Sequence, residues 1–167
     1  MSAALSAAEV SAMNTATPRT IEKRITLRAP RSKVWRALTN IEEFCAWFGV
    51  AKWEGQFEPG ARVRMVMRPE IAGDDDYFIF VEEMRAESLF SWRWHPGMKD
   101  PQADYSAEPT TLVVFELKEV AGGTELTITE SGFNQLSLAR RAKVYQENVG
   151  GWNEQAVALE RYVAQTP

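Results

Sequence analysis

The sequence predicts an α+β domain: a curved antiparallel sheet of about seven strands, two short helices after the first strand, and one long C-terminal helix. Two observations carry this. Short segments that alternate apolar and polar residues follow one another between residues 51 and 133, separated by turn chemistry, as in an antiparallel meander. The period then changes from two to about 3.6 near Ser137, so the last helix is segregated from the strands and must cover one face of the sheet.

The elements follow in order. Residues 21–30, IEKRITLRAP, place Ile21, Lys23, Ile25 and Leu27 imperfectly against Glu22, Arg24 and Arg28, a half-buried strand stopped by Pro30. In RSKVWRALTNIEEFCAWF, Val34, Trp35, Leu38, Ile41, Phe44, Cys45 and Phe48 recur at spacings of one, three and four, with Asn40 as N-cap of the second of two short helices. AKWEGQF, then ARVRMVMRP after the turn Glu58-Pro59-Gly60, then YFIFVEEM after the acidic loop EIAGDDD, then SLFSWRWH, read as strands. Beyond the loop PGMKDPQADYSAEP, TTLVVFELKEV and GTELTITESGF flank Ala121-Gly122-Gly123, a hairpin signal. Tyr145, Val149, Trp152, Ala156, Leu159 and Val163 then step by four and three along one helix face. Gly150 and Gly151 interrupt that helix, each at a cost of about 1 kcal/mol against alanine.

Composition narrows the class. A chain of 167 residues with 45% hydrophobic and 25% charged residues fits one domain, expected over residues 20–165, behind a small-residue flexible tail at 1–19. The formal net charge is −4, with basic residues interleaved among acidic ones, which argues against nucleic acid as a partner. Cys45 is the only cysteine, so no internal disulfide forms and a reducing, cytoplasmic setting is expected. No apolar run approaches the roughly 20 residues of a membrane span, and membrane insertion is not expected. The single histidine and single cysteine leave no protein-ligated zinc or iron site, and the Asp74-Asp75-Asp76 run lacks calcium-loop spacing. No metal or cofactor is expected.

APRSKVWRALTNIEEFCAWF, EPGARVRM, VEEMRAESLFSW and GTELTITESGF with GGWNEQAVALERYV, in that order and spacing, resemble the START-like or SRPBCC superfamily. Its helix-grip fold also houses the Bet v 1 allergens and polyketide cyclases. Within it, the chain is most similar to the Hsp90 ATPase activator homologue (AHSA1-like) group, over residues 20–163. The resemblance implies a cavity between the concave sheet face and the last helix. It does not name a ligand, because lipid binders, cyclases and chaperone partners share this scaffold.

Strand alternation puts Phe90, Trp92 and Trp94 on one face and Leu89, Ser91, Arg93 and His95 on the other. Val63, Met65 and Met67 point together, as do Val113, Phe115 and Leu117, and Leu126 with Ile128. So many rigid aromatics and adaptable methionines suit the lining of an apolar ligand site, although each alone also suits a core. The expected lining is Trp47, Met65, Met67, Phe80, Trp92, Trp94, Phe115, Tyr145 and Trp152, with His95, Glu82 and Asn153 as orienting polar groups. Glu82 shares a face with Phe78 and Phe80. Buried alone it would serve as an acid or base, and paired with Arg64 or Arg93 it would be structural. Trp152 either lines the cavity or plugs it, and the two glycines either admit close approach or relieve crowding beside it.

The expected function is therefore binding of a small hydrophobic or aromatic molecule, with no catalytic residue assigned. Two alternatives stay open: a protein-interaction module of the Hsp90-activator type, with a chaperone or other protein as partner, and a polyketide cyclase-like enzyme using the same cavity.

Overall fold

The computed structural model describes Ser6 and residues 20–72, 76–97 and 106–166. Period-two alternation produces seven strands: β1 (Thr20–Leu27), β2 (Val50–Glu54), β3 (Arg62–Met67), β4 (Asp76–Arg85), β5 (Leu89–Trp94), β6 (Thr111–Val120) and β7 (Gly123–Ser131). They form one antiparallel sheet in the order β1-β7-β6-β5-β4-β3-β2. The helices are α1 (Arg31–Thr39), α2 (Ile41–Phe48), the single turn α3 (Pro69–Ala72) and α4 (Arg141–Gln165). This is the α+β helix-grip arrangement expected from the sequence.

One sheet face carries the core and the other meets solvent. Val63, Met65, Met67, Ile79, Val81, Phe90, Trp92, Val113, Phe115, Leu117, Leu126 and Ile128 are all buried on the first. The second bears ion pairs such as Arg24–Glu22 at 3.0 Å and Arg64–Glu54 at 3.2 Å, which are exposed and contribute little. Gly123 has a steric reason: a Cβ there would stand 2.0 Å from the Leu27 carbonyl oxygen, where the β6–β7 hairpin passes the end of β1. Next to it, the Thr124 hydroxyl donates to the Ala29 carbonyl at 2.8 Å and fixes the exit from β1.

The helices pack on the concave face. Asn40 caps α2 as expected, its side chain accepting from the Glu43 N–H at 3.0 Å. This helix drives Phe44, Cys45, Trp47 and Phe48 into the core, where Phe44 stacks on Phe48 at 4.6 Å and meets Trp92 edge-on at 5.7 Å. α4 buries Val144, Trp152, Ala156, Leu159 and Val163. Its C-terminal half is tied down by side chains: Lys33 Nζ donates to the carbonyls of Val163 (2.7 Å) and Thr166, and the Tyr162 hydroxyl donates to Glu43 at 2.9 Å. Carbonyls at a helix end lack intrahelical partners and favour a cation, so Lys33 answers both needs.

Boundaries differ from expectation in four places. β2 stops at Glu54, because Gly55 turns the chain with φ 111° and Phe57 drops into the core. The acidic loop opens with the turn α3, while Asp74 and Asp75 lie outside the described residues. Phe133 leaves the β7 strand at Gly132 (φ 104°) and sits in a 3₁₀ turn, Phe133–Gln135. α4 begins at Arg141, after a turn closed by the Arg140 N–H on the Ser137 carbonyl at 3.1 Å. Apart from Ser6, the tail at 1–19 lies outside the described residues.

Cys45 is 1% exposed, and burial pushes its thiol up to about 12. Thiolate is the reactive form, so the native protein at pH 8 should resist a thiol reagent such as dithionitrobenzoate and react only as it unfolds. The check is the labelling rate with and without denaturant.

Candidate binding cleft

The site is built around a glutamate at the end of β7. Leu126, Ile128 and Glu130 alternate onto the concave face, so Glu130 enters the core fully buried. Its Oε2 accepts from Trp94 Nε1 at 2.8 Å and from the Thr111 hydroxyl at 2.6 Å. Its Oε1 accepts from Trp152 Nε1 and Asn148 Nδ2, both at 2.8 Å. A carboxylate offers about four lone-pair positions and only accepts, so these four neutral donors from β5, β6 and α4 complete it. A buried carboxyl group without them would be strongly destabilising.

This knot fixes two indoles. Trp94 and Trp152 lie 5.9 Å apart, inclined by 32°. Trp152 also meets Phe48 at 6.3 Å, Trp92 at 6.4 Å and Phe115 at 5.8 Å. Below it, the space between sheet and helix is filled with aromatic rings. Beside it, over β3, β4 and β5, a half-open cleft of about 410 Å³ remains. Trp152 therefore both walls the cleft and seals the core.

Phe48, Met65, Met67, Tyr77, Ile79 and Trp94 make the apolar side of the cleft. Gln146, Asn148, Gly150, Gly151 and Gln155 of α4 lie across from them, with Glu147 and Glu154 also on the lining. Gln155 Nε2 donates to the Phe48 carbonyl at 2.9 Å and holds α4 against the end of α2. Apart from its chain neighbours and its own stretch of helix backbone, a methyl group built on Gly150 or Gly151 meets no atom within 4 Å. The glycines accordingly do not answer a close approach of another element. They leave space open.

Four of the residues expected to line the site, Met65, Met67, Trp94 and Trp152, stand on the cleft. The others are placed elsewhere, each for a physical reason. Trp47 is buried with its indole donating to the Ala37 carbonyl at 2.8 Å, and Trp92 and Phe115 sit in the packed core 5.0 Å apart. Phe80 and Glu82 lie on the solvent face, because Tyr77, Ile79 and Val81 take the inward positions of β4. The register pairs Ile79 with Val63 and Val81 with Trp92. Glu82 accepts from exposed Arg93 at 2.8 Å, the structural outcome. His95 is half-buried off the cleft, Tyr145 packs edge-on against Phe133 at 5.2 Å, and Asn153 is on the exposed side of α4.

Glu130, Asn148, Tyr77 and Ile79 escaped the sequence reading. Extending the alternation of Leu126 and Ile128 by two residues reaches Glu130. The helical steps of three from Tyr145 and four back from Trp152 both reach Asn148. Among the described residues, no three His, Cys, Asp or Glu side chains are placed to hold a metal ion, and no helix is long and apolar enough to cross a membrane.

The sequence profile of the family described as Activator of Hsp90 ATPase homolog 1-like protein matches residues 28–164. The chain belongs to this family. No curated protein sequence matches it. Among solved structures, protein MLL2253 from Mesorhizobium loti is 25% identical, with 89% of this chain and 99% of that one covered at a TM-score of 0.70. DynU16, from the dynemicin biosynthetic locus, is 21% identical with a TM-score of 0.69; 89% of this chain aligns with 48% of that one. The Aha1 dimer from Colwellia psychrerythraea is 16% identical, covering 86% of this chain and 95% of that one, with a TM-score of 0.67. The likeness to the last two is one of fold.

Replacing Glu130 with Gln turns an amide NH₂ toward groups that are themselves donors. The Glu130→Gln variant should lose about 2–4 kcal/mol of stability, as when a buried hydrogen-bonded charge is removed. Urea unfolding with near-UV circular dichroism measures both the loss and the loosening of the two indoles.

Proposed function

We propose that this AHSA1-like chain binds a small apolar or aromatic molecule in the cleft between strands β3–β5 and α4. The cleft falls within the 300–1,000 Å³ typical of small-molecule sites, with apolar walls and a few polar groups. Met65 and Met67 adapt to a guest, while Trp94 and Trp152 are held rigid. The observation that carries the reading is the glycine pair. Two interior helix glycines sacrifice about 2 kcal/mol together, and a Cβ on either would meet no other element of the fold. Stability alone would favour alanine at both.

The two other readings have less support. A partner-docking module needs an exposed apolar patch, and the large hydrophobics exposed among the described residues are Leu138 and Val157. A cyclase needs a group positioned to move a proton at the ligand; the buried Glu130 has its lone pairs engaged by Trp94, Thr111, Asn148 and Trp152, and the other lining carboxylates are half-buried Glu147 and exposed Glu154.

Titration with 2-naphthylmethanol, followed by tryptophan fluorescence, should give a saturable change. Trp152→Ala should weaken it roughly tenfold, and Gly151→Leu should abolish it. The Gly150→Ala/Gly151→Ala variant should melt several degrees higher, about 2–4 °C per kcal/mol for a chain of this size, and bind more weakly. A flat titration, or binding unchanged in Gly151→Leu, would overturn the proposal.

A further inference from the structure

Resting on that reading of the cleft, we infer that its occupant is a cationic or N–H-donating aromatic molecule, and that anionic molecules are excluded. The argument concerns which hydrogen-bonding groups on the lining are already committed. Trp94 Nε1 and Trp152 Nε1 both donate to Glu130. Asn148 Nδ2 donates to Glu130 Oε1, and Gln155 Nε2 to the Phe48 carbonyl. Both amide partners are acceptors, so the nitrogen must face them and neither amide can be flipped. Among the described residues, no donor reaches Asn148 Oδ1 or Gln155 Oε1.

The lining offers a guest two amide oxygens and the carboxylates of Glu147 and Glu154 as acceptors. The side-chain donors beside them are neutral: the second N–H of the Asn148 and Gln155 amides, and Gln146 at the exposed rim. Among the described residues, the lining holds no Lys, Arg or His. The neighbouring cations are engaged elsewhere: Arg140 donates to Glu108 and to the Pro96 carbonyl at 3.1 Å. Lys143 stays outside the cleft, its side chain 80% exposed and only loosely paired with the lining's Glu147 at 3.9 Å. Four aromatic side chains, Phe48, Tyr77, Trp94 and Trp152, present ring surface to the same space, and ring faces attract cations. A carboxylate or phosphate would meet acceptors, carboxylates and ring faces at once. An ammonium group would be favoured by all three.

Three naphthalene probes of one shape and different charge separate the possibilities: 2-naphthylmethylammonium, 2-naphthylmethanol and 2-naphthoate, titrated by fluorescence at low salt. The ammonium probe should bind roughly five- to tenfold more tightly than the alcohol, the size of a partly screened charge and cation–π contribution. The naphthoate should bind more weakly than either. The ammonium preference over the alcohol should shrink with added salt and disappear in Glu147→Gln/Glu154→Gln. Naphthoate binding as tightly as the ammonium, or a preference surviving the double substitution, overturns this inference while leaving the cleft a binding site. Failure of all three probes to bind overturns the binding role itself.

Discussion

A single buried carboxyl group organises the functional half of this molecule. Glu130 gathers donors from β5, β6 and α4 onto its two oxygens, and every one of those donors is neutral. Because Glu130 is fully buried, these bonds are stronger than in water, and the carboxyl group would be costly to leave alone. The outcome is geometric. Two large rings that could otherwise rotate and fill the neighbouring space are held by their N–H ends, so the space beside them persists. Thr111 and Asn148 complete the knot and set where the long helix crosses the sheet.

The long helix has two regimes. From Ala156 onward it lies tight on the core through Leu159 and Val163, and it is tied at its end by Lys33 and Tyr162. Between Gln146 and Gln155 it borders the cleft over strands β3–β5, with glycine at two of the lining positions. Trp152 is the boundary. Its ring rests on Phe48, Trp92 and Phe115 on one side and borders open space on the other. The aromatic richness of the sequence thus serves two ends: Phe44, Trp47, Trp92 and Phe115 fill a wide core, while Phe48, Trp94 and Trp152 belong to the core and the cleft together.

The fold was legible because alternation and helical period are strong one-dimensional signals, and Asn40, Gly123 and Pro30 punctuate them where the structure turns. The inward faces of β3, β5, β6 and β7 followed directly. The site was legible only in part. Aromatic content marks burial but does not tell a filled core from an open cleft, which is why Trp92 and Phe115 were expected on a lining they stand behind. In β4 every second-residue set is apolar at its start, Tyr77 and Ile79 against Phe78 and Phe80, so the phase was ambiguous until the register with Val63 and Trp92 settled it. Glu130 was hidden by its charge: a glutamate at a strand end reads as solvent-exposed unless the alternation is followed one step further.

The most direct test of the central claim is hydrogen exchange at the indole N–H groups, read by nuclear magnetic resonance. If the buried carboxyl group holds Trp94 and Trp152, their indole protons exchange far more slowly than that of half-exposed Trp53, and both lose protection together in Glu130→Gln under conditions where the chain stays folded. Rapid exchange of either indole in the native protein, or protection that survives the substitution, would contradict the account.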